Sequence, residues 1–312
     1  MHRRTLGVLT LAAGVLAACT QHQTPAARPS SSSVAYPVTV TAANGAVRIP
    51  ARPTRILSLS ATATQMLYGM GAGPQVVAVD KYSTDPPNAP RTSFTGYETS
   101  AEDYLSVRPD LVILAFDTGH SVMAQLATLH VTGLLLPPAA TLDDTYTQIS
   151  ELGQATGHVS DAAAEAASIR QGLDHVAASV GDRAKGRTYY QELDNTLYTA
   201  TSKTFIGALY ARIGMVNVAD PADHAGSGYP QLNAEYLIQA NPQFVFLADT
   251  VCCGQTPESF AARPGFSVLT AVRSHQVFGL ADSLASQWGP RVVDFLRTVA
   301  GDVVSGTAST SP

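Results

Sequence analysis

The chain has 312 residues, 45% hydrophobic, 7% aromatic and 14% charged, with a formal net charge of −5. That length holds two domains of ordinary size, and the composition is globular rather than disordered. A mildly acidic chain with scattered Lys and Arg lacks the basic surface that nucleic acid requires, and three cysteines without a CxxC spacing argue against a structural zinc site.

Met1 to Arg4 is a basic start, and Thr5 to Leu16 is apolar but far too short to cross a bilayer core of roughly 30 Å. Leu16-Ala17-Ala18-Cys19 resembles the lipobox of bacterial lipoproteins, which implies lipidation at Cys19 and anchoring at the extracytoplasmic face of the cell membrane. The Arg3-Arg4 pair leaves the export route open between the general and twin-arginine systems. Gln21 to Ala35, rich in Ser and Pro, reads as a tether.

Val38 to Ile49 alternates about Asn44-Gly45 and predicts a hairpin. Strands follow at Arg55 to Ser60, Gln75 to Asp80, Leu111 to Ala115 and Val131 to Leu136, with helices at Ala63 to Met70, Ser100 to Val107 and Val122 to Leu129. Tyr82 to Pro90 holds three prolines and is a loop. Leu142 to Ala155 and the alanine-rich Ala162 to Val180 are helices. The pattern then restarts, with strands at Thr188 to Leu193, Phe244 to Ala248 and Gln276 to Leu280, and helices at Lys203 to Ile213, Ala234 to Ala240 and Arg291 to Ala300. Alternating strands and helices imply parallel sheets.

Two stretches repeat: Ala101 to Asp117 (AEDYLSVRPDLVILAFD) and Ala234 to Thr250 (AEYLIQANPQFVFLADT) coincide at six positions under a constant offset of 133 residues. Each has a carboxylate opening a short helix, a proline ending it, and an apolar run that suits a strand buried on both faces. The expected fold is α/β: two Rossmann-like lobes with mainly parallel sheets joined by one long rigid helix. The parts are a signal peptide (1–18), a lipidated N-terminus and tether (19–36), an N-terminal lobe (37–140), connecting helices (141–185), a C-terminal lobe (186–303) and a disordered tail (304–312).

RILSLSATATQMLYGMG (Arg55 to Gly71), VVAVDKYSTDPP (Val76 to Pro87) and EDYLSVRPDLVILA (Glu102 to Ala115) are similar to the N-terminal lobe of the cobalamin- and ferric-siderophore-binding proteins of ABC importers. PQLNAEYLIQANPQFVFL (Pro230 to Leu247) and WGPRVVDFLR (Trp288 to Arg297) resemble the second lobe of that family. The resemblance spans residues 50 to 300 in unbroken order, and implies ligand binding in a cleft between the lobes, without catalysis. It also implies a permease dimer as partner, with one surface glutamate per lobe, Glu102 and Glu235, docking to arginines there. The helix dipole alone already favours a carboxylate at those first turns.

Ligands of open α/β sheets bind beyond the carboxyl ends of the strands. That rule nominates Ser60, Thr62, Tyr82, Ser83, Tyr97, Phe116 and Asp117 in the first half, and Tyr198, Tyr229, Asp249, Thr250, Ser283, Trp288 and Arg291 in the second. Many aromatic rings suit a large, flat, partly apolar ligand. Few arginines among them favour a less anionic one, so cobalamin or a related corrinoid is expected, with ferric siderophore or haem as the alternative. The protein is expected to need no intrinsic cofactor and no metal site, to act as a monomer, and to take a cobalt- or iron-containing chelate as ligand.

Cys252-Cys253 is a candidate vicinal disulfide, although adjacent Cα atoms lie about 3.8 Å apart, below the usual range. A hydrolase is disfavoured by the lack of GxSxG and HExxH. A zinc or manganese receptor would need His120, His224 and His275 to converge.

Overall fold

The computed structural model describes residues 34–97 and 100–309. The leader, Cys19 and the tether to residue 33 lie outside the described residues, as do Glu98 and Thr99.

The hairpin pairs Val38–Ala42 (β1) with Gly45–Ile49 (β2), Ala42 facing Gly45. The turn is Ala43-Asn44 rather than Asn44-Gly45, and Gly45 follows it at φ 93°, a conformation glycine adopts without steric cost. The shift gives the Asn44 side chain a separate task. Its Nδ2 donates to Gly133 O at 3.1 Å and its Oδ1 accepts from Leu135 N at 3.0 Å, imitating one strand residue on an open sheet edge.

The first lobe alternates Ile56–Leu59 (β3), Ala61–Gly69 (α1), Val76–Val79 (β4), Ala101–Val107 (α2), Leu111–Leu114 (β5), Ser121–Thr128 (α3) and Thr132–Leu135 (β6). Its four strands are parallel in the order β4-β3-β5-β6. Leu142–Thr156 (α4) and Val159–Val180 (α5) follow. With 22 residues, α5 is roughly 33 Å long. It buries Ala162, Ala166, Ile169, Leu173, Val176 and Val180, a stripe at helical spacing.

The second lobe runs through Thr188–Glu192 (β7), Phe205–Arg212 (α6), Val216–Asn217 (β8), Ala234–Ala240 (α7), Phe244–Leu247 (β9) and Thr250–Cys253 (α8). Pro257–Ala261 (α9), Thr270–Arg273 (α10), Val277–Gly279 (β10), Asp282–Ala285 (α11) and Val292–Ser309 (α12) complete it. Its strand order, β10-β9-β7-β8, is again parallel and repeats the first lobe's order strand for strand. At two residues, β8 is too short for a periodic signal, and α8 to α11 lie in what reads as loop. The last helix runs to Ser309, past the Val304 boundary expected for a polar tail, and its buried face continues from Val299, Ala300 and Val303 to Gly306.

The repeated stretch is the α2–β5 unit of one lobe and the α7–β9 unit of the other. Ser100 caps α2 by accepting from Asp103 N at 3.2 Å, and Asn233 caps α7 by accepting from Tyr236 N at 2.8 Å. Both helices end on a left-handed residue, Arg108 (φ 45°) and Asn241 (φ 44°), directly before the proline. Asp110 then accepts from Arg55 N at 3.0 Å while Gln243 Oε1 accepts from Thr188 N at 3.1 Å. Two different side chains thus tie the third strand to the base of the first strand in each lobe. The 133-residue offset holds across the neighbouring strand too. Leu59 pairs with Leu114 as Glu192 pairs with Leu247.

Candidate functional site

In each lobe the strand order reverses beside the first strand, between β3 and β5 and between β7 and β9. Such a switch point leaves a crevice at the carboxyl ends of the strands. In the first lobe it holds a cavity of about 480 Å³ lined by Ser60, Thr62, Asp80, Tyr82, Tyr97, Phe116, Gln287 and Trp288, with Leu59, Ala61, Gly96, Ala115 and Ser286 between them. Six of the residues nominated from sequence therefore meet there: Ser60, Thr62, Tyr82, Tyr97, Phe116 and Trp288.

Each is held by its local structure. Ser60 is the N-cap of α1, its Oγ accepting from Ala63 N at 3.2 Å. The first turn of a helix carries N–H groups without intrahelical acceptors, and Ala61 and Thr62 at that end line the cavity, which suits oxygen acceptors on a ligand. Tyr97 and Phe116 stack with centroids 5.6 Å apart and stay 64% and 41% exposed, so this ring pair presents a flat apolar face to the cavity. Tyr82 is exposed, with the Lys81 ammonium 5.0 Å from its ring centroid. Asp80 is buried at the floor. Its Oδ1 accepts from Ser83 N at 2.8 Å and Ser83 Oγ at 2.7 Å, and burial raises its pKa against the opposing pull of those bonds. Asp80, Gly96, Ser286 and Gln287 escaped the sequence reading. Asp80 alone had a usable signal, its place at the end of β4.

The remaining nominees do other work. Ser83 is buried and bonds Asp80 and Thr64 Oγ1 (2.9 Å) instead of lining the cavity. Asp117 accepts from Val122 N at 2.9 Å and Met123 N at 3.2 Å, closing the start of α3. Asp249 is fully buried, and Thr250 Oγ1 donates to Leu280 O at 2.7 Å. Tyr198 and Tyr229 are exposed on two extended segments joined where Tyr198 pairs with Gln231, outside the cavity lining. Arg291 faces Asp85 of the proline-rich loop, Nε to Oδ2 3.8 Å, and so meets an internal anion. The side chain of Ser283 lies outside the described residues.

Cys252 and Cys253 are exposed and not joined in a disulfide. Both sit on α8, where successive side chains diverge by about 100° and cannot meet without unwinding the turn. Among the described residues no three of His, Cys, Asp and Glu gather as metal ligands, so His120, His224 and His275 do not converge. Glu102 and Glu235 are exposed, each in the first turn of its helix.

The second lobe carries a buried ion pair at the end of its first strand. Glu192, fully buried at the end of β7, accepts two bonds from Arg263, NH1 to Oε2 at 2.7 Å and NH2 to Oε1 at 2.6 Å. Burial raises the Glu192 pKa, the arginine opposes that rise, and Asp249 nearby adds to it. The guanidinium packs against Phe260 and Phe266.

The chain is 28% identical over 302 residues to a cobalamin-binding protein of Halobacterium salinarum, covering 94% of this chain and 80% of that one. It is 28% identical over 313 residues to an uncharacterized ABC transporter substrate-binding lipoprotein of Bacillus subtilis, covering 96% of each. Among solved structures, a periplasmic haem-binding protein of Roseiflexus sp. RS-1 in apo form superposes with a TM-score of 0.70 at 22% identity, over 81% of this chain and 98% of the other, a likeness of fold. Residues 56–284, a span that holds every strand of both parallel sheets, match the periplasmic binding protein family, and the chain belongs to it.

Proposed function

We propose that this protein is a receptor that binds cobalamin or a related corrinoid outside the cell membrane and delivers it to an ABC permease, with no chemistry of its own and no resident cofactor. The observation that carries the ligand class is the cavity wall. Tyr82, Tyr97, Phe116 and Trp288 supply four aromatic rings, and no Lys, Arg or His stands among the lining residues. A polyanionic ferric siderophore, or a haem with two carboxylates, calls for cationic partners, and a haem iron commonly takes a histidine. A bulky chelate with a largely uncharged periphery asks for rings and a few hydrogen-bonding groups instead. The name of the Halobacterium salinarum relative points the same way.

Anchoring through a lipid on Cys19 is supported by Leu16-Ala17-Ala18-Cys19 and by the lipoprotein relative of matching length. Docking of Glu102 and Glu235 to the permease is supported by their exposure at equivalent helix starts.

Calorimetric titration of residues 34–312 with cyanocobalamin, haemin and a ferric hydroxamate tests the ligand. Saturable binding of cyanocobalamin alone is expected, and binding of haemin alone would reverse the assignment. Replacing Glu102 and Glu235 together by Ala is expected to abolish uptake in cells while leaving affinity in solution unchanged. A loss of affinity would instead place the two carboxylates in folding or binding.

A further inference from the structure

Trp288 belongs by sequence to the second lobe, yet its polar contacts run to α4. Its Nε1 donates to Gln148 Oε1 at 2.9 Å, and its backbone oxygen accepts from Thr145 Oγ1 at 2.8 Å. Residues 145 and 148 are neighbours on one face of that helix. Gln148 is itself buried and fixed from behind, since its Nε2 donates to Pro137 O at 2.7 Å. Turning the amide over would set nitrogen against the indole N–H and oxygen against the carbonyl, so only one orientation satisfies both neighbours. The adjoining residues are clamped to α1. Gln65 Nε2 donates to Gln287 Oε1, and a Cβ on Gly289 would lie 3.1 Å from both Thr62 Cγ2 and Gln65 Oε1.

An indole on a connecting segment has several rotamers open to it. One whose far end donates to a buried, pre-oriented acceptor has a single plane. We propose that Gln148 is a positioning residue for ligand binding: through Trp288 it sets the plane of one aromatic wall of the cavity. It acts from α4, between the lobes, so this wall keeps its register with the rings of the first lobe. The inference rests on the cavity being the ligand site, but its first test needs no ligand.

Trp288 is the only tryptophan in the sequence, so indole fluorescence reports on it alone. In ligand-free protein Gln148→Met is expected to lower the fluorescence anisotropy and move the emission to longer wavelength, as the released ring swings toward water. Gln148→Glu keeps the acceptor for the indole but can donate to Pro137 O only when its carboxyl is protonated, so it is expected to stay close to the parent spectrum at mildly acidic pH. Gln148→Asn, which draws the acceptor back by one methylene, falls between them and serves as the milder variant should Gln148→Met not fold. Thr145→Val removes a neighbouring bond without touching the indole and should alter the melting temperature but not the anisotropy. With cyanocobalamin, Gln148→Met should weaken binding about tenfold and, at mildly acidic pH, Gln148→Glu no more than about threefold. Unchanged anisotropy and affinity in a folded Gln148→Met would overturn the positioning role. The expected spectral change in a parent protein that binds no cyanocobalamin would overturn the ligand reading instead.

Discussion

Leu59 and Glu192 stand at the same rung of two sheets that share strand order, ladder register and a common offset. In the first lobe the rung is apolar, and the crevice above it stays open as a cavity walled by rings. In the second it carries a buried carboxylate, which is paired with Arg263. One strand along, Phe116 and Asp249 repeat the contrast: the phenyl ring faces the cavity, whereas the carboxylate is buried beside the ion pair. The packing differs as well. The first sheet is built from Ile, Leu and Val, the second from rings, with Tyr210 stacked on Tyr189 at 4.0 Å and edge-on to Phe295 at 5.5 Å. The same backbone plan therefore carries a walled cavity in one lobe and a paired charge in the other, and at this rung a buried charge must find a partner while a leucine need not.

The largest effect is expected from breaking that pair. Arg263→Met leaves Glu192 buried without its counter-ion and should cost about 3–5 kcal/mol in urea unfolding. Adding Glu192→Leu, which copies Leu59, should recover most of the loss. A double variant no more stable than Arg263→Met alone would show that the arginine acts through packing on Phe260 and Phe266. The converse exchange, Leu59→Glu, puts a carboxylate where no arginine waits and should be as damaging as Arg263→Met.

A smaller effect separates the lobes by function. Phe116→Ala removes an exposed ring and should change stability by less than about 0.5 kcal/mol, while weakening cyanocobalamin binding about tenfold, since ring contacts dominate such sites. Tyr198→Ala, on the second lobe and outside the cavity lining, should stay within about threefold. Equal losses in the two variants would mean that the ligand bridges both lobes evenly.

The smallest effect lies at the joint. Glu165 on α5 reaches over Gly69 of α1, where a Cβ would collide with its Oε1, and faces a groove with Asp161, Asp294 and Arg297 along its edges. Burial raises this carboxyl from 4.5 to about 8. The folded chain then holds a proton that the unfolded chain releases near pH 4.5, so this stabilisation is complete below that pH and is lost as pH rises through about 8. Glu165→Gln should match the parent at pH 5 and exceed it at pH 9 by roughly 1–2 kcal/mol, a figure discounted for partial exposure. Parallel stability curves from pH 5 to 9 would rule this out.

Much of the fold was legible because it is written locally. Apolar runs between turn signals gave every strand except β8, which is too short to show a period. The cap residues Ser100 and Asn233 and the prolines after Arg108 and Asn241 marked both copies of the repeat. Half of the site was legible for a similar reason. Ser60, Tyr82, Tyr97 and Phe116 sit at strand ends or in the loops after them, Thr62 in the first helical turn after β3 and Trp288 in the segment after α11, and parallel topology sends strand-end positions to one edge.

Tertiary structure alone decided what those positions face. Asp117 and Asp249 end equivalent strands and read alike, but one closes a helix and the other lies buried beside an arginine 14 residues further on. Arg291 reads as an anion-binding side chain until Asp85, more than 200 residues earlier, is brought against it. Gln148 carries no signal of its own, because a glutamine on a helix is ordinary until a distant indole donates to it. The sequence by itself determined two parallel lobes, the long helix that links them and the edge at which the nominated residues gather, since each depends on neighbours within a few residues. Which side chains meet at that edge was decided by the partners that folding brings to each of them, and those lie far along the chain.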